Sequence, residues 1–143
     1  MNVTQLSIFL ENRSGRLAEV TEILGRNTIN IRALSLADTS DFGILRVIVN
    51  DPDKAAGILK SEGFTVSETE VMAVEVEDRP GGLAGVLKIL STESINVEYM
   101  YAFLEKRTEN ALIIFRIEEI GRTEAILRKH GIRLLSGKDL YNL

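Results

Sequence analysis

Much of the second half of this chain rewrites the first. Glu11-Asn12-Arg13-Ser14-Gly15-Arg16-Leu17 returns as Glu77-Asp78-Arg79-Pro80-Gly81-Gly82-Leu83, and Ile29-Asn30-Ile31 returns at the same spacing as Ile95-Asn96-Val97. Ile58-Leu59 and Gly63 return as Ile126-Leu127 and Gly131, with a spacing two residues longer. The extra residues fall most simply near Glu105-Lys106-Arg107-Thr108-Glu109, a polar stretch that reads as a longer hairpin loop. Such a repeat restricts the fold to two copies of one small unit, residues 1–70 and 71–143, and argues against unrelated functions for the halves.

Each copy reads as strand, helix, strand, strand, helix, strand. In the first, Leu6, Ile8 and Leu10 alternate with Ser7, Phe9 and Glu11, the period of a sheet with one face in a core. Leu17, Val20 and Leu24 form an apolar helical stripe that should end near Asn27. Residues 29–37 read as a second strand, Thr39-Ser40-Asp41 as a turn, and Leu45, Val47 and Val49 as the core face of a third strand. Asp51-Pro52-Asp53 opens a second helix with a proline already at helical φ, Gly63 ends it, and Phe64-Thr65-Val66 begins a fourth strand.

The second copy repeats this order with Met72, Val74 and Val76; Leu83, Val86, Leu87 and Leu90; residues 95–104; Ile113, Phe115 and Ile117; residues 122–130; and residues 132–135. The order βαββαβ is that of the ferredoxin-like split unit, an α+β fold with an antiparallel sheet and two helices on one face. Ser67-Glu68-Thr69-Glu70 is the only stretch between the copies and has no Gly/Pro-rich spacer. The two units are therefore expected to form one continuous antiparallel sheet of about eight strands. A unit this small seldom builds a generous core alone, which favours pairing of sheets or a homodimer. Ala33 and Ser35 alternating with Leu34 and Leu36, and Tyr99, Met100, Tyr101 and Phe103 close together, put apolar groups on both strand faces.

Composition removes several chemistries. Seventeen Lys and Arg against 21 Asp and Glu give a net charge of −4, which is the wrong sign for a nucleic-acid grip built on bulk charge. A hydrophobic share of 45% belongs to a chain that folds. With no cysteine and His130 as the single histidine, thiol catalysis, disulfides and a catalytic zinc lack their residues. His130 ends a helical pattern before Gly131, where a cation is favourable. No basic segment precedes an apolar stretch at the N-terminus and no apolar run approaches about 20 residues, so a cytoplasmic protein is expected.

Chemistry concentrates where the first strand of each copy hands over to a helix. A helix N-terminus leaves backbone N–H groups unpaired, and glycine lets a ligand approach the main chain. A carboxylate would meet both those donors and the positive end of the helix dipole, while Asn12 or Asp78 could accept from an ammonium group. A zwitterionic amino acid fits that combination. The same residues also suit a plain tight turn at Gly15 or Gly81, with Asn12 or Asp78 capping the helix. Asn30 and Asn96, expected early in strand two, could bond a ligand or a buried backbone group.

Asn12-Arg13-Ser14-Gly15-Arg16-Leu17 and Asp78-Arg79-Pro80-Gly81-Gly82-Leu83, each followed by a helix and then Ile29-Asn30-Ile31 or Ile95-Asn96-Val97, resemble the D-x-P-G-x-L...N-I pattern of ACT domains. The resemblance covers nearly the whole chain as two tandem copies. The second copy matches every fixed loop position, and the first has Asn12 for Asp and Ser14 for Pro. ACT domains are βαββαβ modules that commonly bind amino acids and regulate metabolic enzymes, often through this loop at an interface between modules. The resemblance thus implies candidate ligand-binding residues Asn12, Arg13, Ser14, Gly15, Arg16, Leu17, Asn30, Asp78, Arg79, Pro80, Gly81, Gly82, Leu83 and Asn96. It also implies a stand-alone tandem ACT protein with no cofactor or metal, a sensor that binds a free amino acid between units.

Other readings are weaker on the residues. Arg13 and Arg79 could hold a phosphate or acyl-phosphate as in a ferredoxin-like acylphosphatase, but the glycine-rich phosphate cradle, a positioned nucleophile and a paired base are missing, so no enzyme is expected. Tyr99, Tyr101 and Phe103 lack the glycine-aromatic pattern of an RNA-recognition motif. The alternative function is a regulatory subunit that binds a partner metabolic enzyme without a small ligand, in the manner of acetohydroxyacid synthase regulatory subunits.

Overall fold

A computed structural model describes residues 2–38, 41–104 and 109–142. The elements are β1 (Val3–Glu11), α1 (Arg16–Arg26), β2 (Ile31–Asp38), β3 (Phe42–Val49), α2 (Pro52–Ser61), β4 (Thr65–Val76), α3 (Gly82–Thr92), β5 (Tyr99–Ala102), β6 (Ala111–Arg116), α4 (Ile120–Lys129), β7 (Leu134–Leu135) and α5 (Gly137–Tyr141). The chain divides into two compact units, one of Thr4–Thr69 and one built on Glu70–Tyr141. The expected turn residues Thr39 and Ser40, and residues 105–108 of the expected longer loop, lie outside the described residues.

In the first unit β3 lies between β2 and β1, antiparallel to both, and β4 follows β1. Leu6, Ile8 and Leu10 stand opposite Val47, Leu45 and Gly43, so alternate residues share one face. That face packs with Val20, Ile23 and Leu24 of α1 and Ala55, Ala56 and Leu59 of α2 in one buried cluster. The second unit repeats the plan, with β6 between β4 and β5 and with β7 on β4. Its cluster joins Met72, Val74 and Val76 to Phe115, Val86, Leu90 and Leu127. The period-2 and period-3.6 patterns therefore meet on one sheet face in each unit, which is the α+β ferredoxin-like arrangement.

The junction differs from expectation. Ser67 to Glu70 is not a spacer between two strands but the middle of β4, a single strand of 12 residues. Ser67, Glu68, Thr69 and Glu70 are polar, yet backbone pairing does not depend on side-chain polarity. The described residues accordingly hold seven strands where about eight were expected. Strand two of the second copy is also shorter, four residues against the expected 95–104, and strand two of the first copy starts at Ile31.

Local signals explain the helix ends. Asp51 caps α2, its carboxylate accepting from the Lys54 N–H at 3.2 Å, with Pro52 at the first helical turn. Replacing Asp51 by Ala is expected to destabilise the protein by about 1 kcal/mol in a denaturant titration. An unchanged midpoint would mean that the cap contributes nothing. His130 is the C-cap residue of α4, and its Nδ1 lies 2.9 Å from the Ile126 carbonyl. Beyond β7, Ser136 and Asp139 bond each other's backbone N–H across the start of α5, at 3.1 and 3.2 Å. The bond from the Ser136 backbone N–H first, and then the Ser136 hydroxyl beside it, hold the Asp139 carboxyl below its usual range.

Candidate functional site

The two strand-to-helix loops share one backbone design. Gly15 and Gly81 immediately precede α1 and α3 in the left-handed region, at φ 91 and 85. Glycine adopts that conformation without the penalty of a side chain. Each glycine is the N-cap residue of its helix, so the helix has no side-chain acceptor at that position. In the second loop the Arg79 N–H donates to Glu77 O at 3.0 Å and the Gly82 N–H to Arg79 O at 2.9 Å. Among the described residues the N–H groups of Gly81, Leu83 and Ala84 have no backbone acceptor. Asn12, Arg13, Ser14, Asp78, Arg79 and Pro80 are all exposed on these loops. Arg13 pairs with Glu11 at 3.1 Å and Arg79 pairs with Glu77, surface pairs of small energetic worth.

The residue after the N-cap separates the two copies. A Cβ on Gly82 would sit 1.9 Å from the Glu77 carbonyl oxygen, so the second loop closes to a width that only glycine fits. Arg16 holds the matching position in the first copy, and the corresponding turn bond, Arg16 N–H to Arg13 O, lengthens to 3.4 Å. The Arg16 side chain folds back over the Phe64 ring, 4.6 Å from its centroid, and pairs with Glu19 at 2.8 Å. In the second copy Gly85 replaces Glu19 and Ile132 replaces Phe64. Leu83 packs against the core of its unit, whereas Leu17 stays 39% exposed.

Gly81, Gly82 and Gly85 of the second copy border a cavity of about 320 Å³. That is the lower end of the range for small-molecule sites. Its apolar wall is Val86, Ile89 and Ile132, and its charged rim is Glu75, Glu77, Arg79 and Arg133. Glu75 accepts from the Asn110 amide at 3.2 Å and pairs with Arg133 at 3.4 Å. Two guanidinium groups and two carboxylates around a short apolar wall can meet both ends of a small zwitterion. Of the residues around this cavity, sequence reasoning named Arg79, Gly81 and Gly82 and missed the rest, among them Glu75, Glu77, Gly85, Asn110, Ile132 and Arg133. The exchange of Arg16 and Glu19 for two glycines was visible in the repeat, but the space it leaves was not.

Asn30 and Asn96 lie elsewhere. Both precede their strands rather than lying within them. In the first unit an α1 of 11 residues, about 16 Å of helix, stands between the loop and Asn30. Asn30 instead ties the start of β2 to the end of β3, its N–H donating to Asn50 Oδ1 at 2.9 Å and its carbonyl accepting from the Asn50 N–H at 3.2 Å. Asn96 borders a separate cavity of about 230 Å³ with Glu98, Glu118 and Glu119. No residue of the second loop reaches that cavity's wall. Among the described residues no group of His, Cys, Asp and Glu could hold a metal ion. No helix among them is long and apolar enough to cross a membrane.

Two βαββαβ units in tandem, each with a glycine-capped strand-to-helix loop, define a pair of α+β ferredoxin-like modules. The chain belongs to the ACT domain pair family, whose model matches residues 1–143. It is similar to a protein from Bacteroides thetaiotaomicron of solved structure, at 45% identity over 100% of this chain and 98% of that one, with a TM-score of 0.92. The fold is also that of the regulatory subunit of aspartate kinase from Thermus flavus, at 16% identity, 90% coverage of each chain and a TM-score of 0.63. The ligand-free regulatory subunit of aspartate kinase from Thermus thermophilus gives 16% identity, the same coverage and a TM-score of 0.64. No curated protein matches the chain.

Proposed function

We propose that this ACT domain pair is a non-catalytic regulatory protein that binds a free amino acid at its strand-to-helix loops, with the loop Asp78 to Leu83 as the principal site. The single observation that carries this reading is the cavity beside that loop, with opposite charges on its rim. The ligand carboxylate would lie on the Gly81 and Leu83 N–H groups, where the helix dipole adds favourable charge. The ammonium would face Glu77 and Asp78. Membership of the family supports a regulatory role, and the named function of the two Thermus proteins points to a metabolic enzyme as the partner. The same reading has the protein acting in the cytoplasm as a homodimer.

Binding to the folded state alone stabilises by RT ln(1 + [L]/Kd), about 2.7 kcal/mol at a hundredfold excess over Kd. Thermal unfolding against each of the twenty amino acids at millimolar concentration, followed by calorimetric titration of those that shift the midpoint, tests this directly. A selective shift is expected. No shift with any amino acid would overturn the reading in favour of a subunit that binds its partner enzyme without a small ligand.

A further inference from the structure

β2 is the outer strand of its unit's sheet, and among the described residues it is paired along one side only, with β3. A free strand edge is a template for another strand, and native edges are normally blunted by shortness, lysine, proline or a bulge. β2 has eight residues with neither lysine nor proline, and its one irregularity, between Ile31 and Ala33, leaves Ala33 to Asp38 in regular register with β3. Leu34 and Leu36 stand opposite Val47 and Leu45 on the sheet face that carries the helices, yet both are exposed, Leu36 by 51%. The irregularity falls at Arg32, whose Nε is buried without a hydrogen-bond partner and whose guanidinium has no ion pair among the described residues.

This edge is complementary to itself. From residue 32 it runs Arg-Ala-Leu-Ser-Leu-Ala-Asp, the same in both directions except that a cation stands at one end and an anion at the other. Two such strands laid antiparallel about a two-fold axis at Ser35 set Leu34 against Leu36 and Ala33 against Ala37 on each side of the axis. They also bring Arg32 of each copy to the register position of Asp38 of the other. A two-fold contact has to be self-complementary, and apolar and opposite-charge cross-strand pairs are those that stabilise an antiparallel ladder. The matching edge of the second unit lacks this pattern: Glu98-Tyr99-Met100-Tyr101-Ala102-Phe103-Leu104 carries a charge at one end only, and β5 has four residues.

We infer that two copies of this chain join through β2, strand to strand and antiparallel about a two-fold axis at Ser35. This rests on the homodimer proposed above and gives it a surface and a register, and it needs no bound ligand. The second copy is the occupant that matches both the exposed leucines and the opposite charges at the two ends of the edge. One pair of short strands belongs with the small, transient interfaces, so the dimer should form and separate with concentration.

The full chain has no cysteine, so Ser35→Cys supplies one thiol per copy at the axis. Residues opposed in an antiparallel pair have Cα atoms about 4.5–5.5 Å apart, within disulfide reach. Mild oxidation should convert Ser35→Cys to a covalent dimer and leave Met100→Cys, on the edge strand of the other unit, uncrosslinked. Sedimentation of the full chain up to millimolar concentration should show a reversible dimer, weakened about tenfold or more by Arg32→Asp or by Asp38→Arg, with folding checked by circular dichroism. Mixing those two folded variants in equal amounts restores opposite charges at both ends and should recover the dimer. A chain that stays monomeric throughout would overturn both this inference and the homodimer, leaving amino-acid binding in place. A dimer indifferent to the two charge reversals, no recovery on mixing, or crosslinking at Met100→Cys instead of Ser35→Cys would each overturn the β2 contact while leaving the homodimer.

Discussion

Phe115→Ala should destabilise the protein by about 3–5 kcal/mol, measured by denaturant unfolding. Phe115 is fully buried on β6, with Met72 of β4 and Met100 of β5 opposite it on either side. Its ring belongs to the cluster that holds α3 and α4 on the sheet, so truncation removes apolar contact and leaves a void in the middle of that layer. A unit of about 70 residues has only a few kcal/mol of stability to lose, so the second unit should open at far lower denaturant. Phe9 is the control, being 43% exposed on the sheet face away from the helices. Phe9→Ala should stay within about 0.5 kcal/mol of wild type. A loss below about 1 kcal/mol for Phe115→Ala would show that the cluster collapses around the gap.

Two glycines three residues apart should respond to the same change with opposite sign. Gly82→Ala places a Cβ 1.9 Å from the Glu77 carbonyl oxygen and 2.9 Å from its carbon, and both atoms are backbone. The turn from Glu77 to Gly82 must open, which breaks the Gly82 to Arg79 bond and costs about 1–3 kcal/mol. Gly85→Ala meets open space within a helix and should stabilise by about 0.5–1 kcal/mol. Paired melts of the two variants check this, and equal shifts would mean that the second loop is not closed tightly at Gly82. The first loop already carries a Cβ at Arg16 with a longer turn bond, so it offers no comparable closure.

The repeat, the element order and the helix stops were legible because each comes from local chemistry. Alternation marked β1 and β3, apolar stripes marked α1 and α3, and Gly63 and Gly131 marked turns that require positive φ. The junction was not legible in this way. Ser67 to Glu70 reads as the short stretch between the two copies, and the structure makes it part of one strand, β4. Asn30 and Asn96 were attached to the loops by motif, but a helix carries the chain away from each loop before its asparagine is reached.

The amino-acid sequence alone determined that two copies of one βαββαβ unit would form, because hydrophobic period and turn residues act over a few neighbours and both copies carry them. It also determined that the second loop matches the family's pattern more fully than the first. Only the tertiary structure decided that Arg16 lies over Phe64 while Gly82 and Gly85 leave a cavity beside Ile132. Those residues are 47 to 50 positions apart in sequence and meet only when the end of each copy returns beside its first helix. Whether space between them is filled depends on side-chain volume at that meeting, a quantity no local pattern encodes.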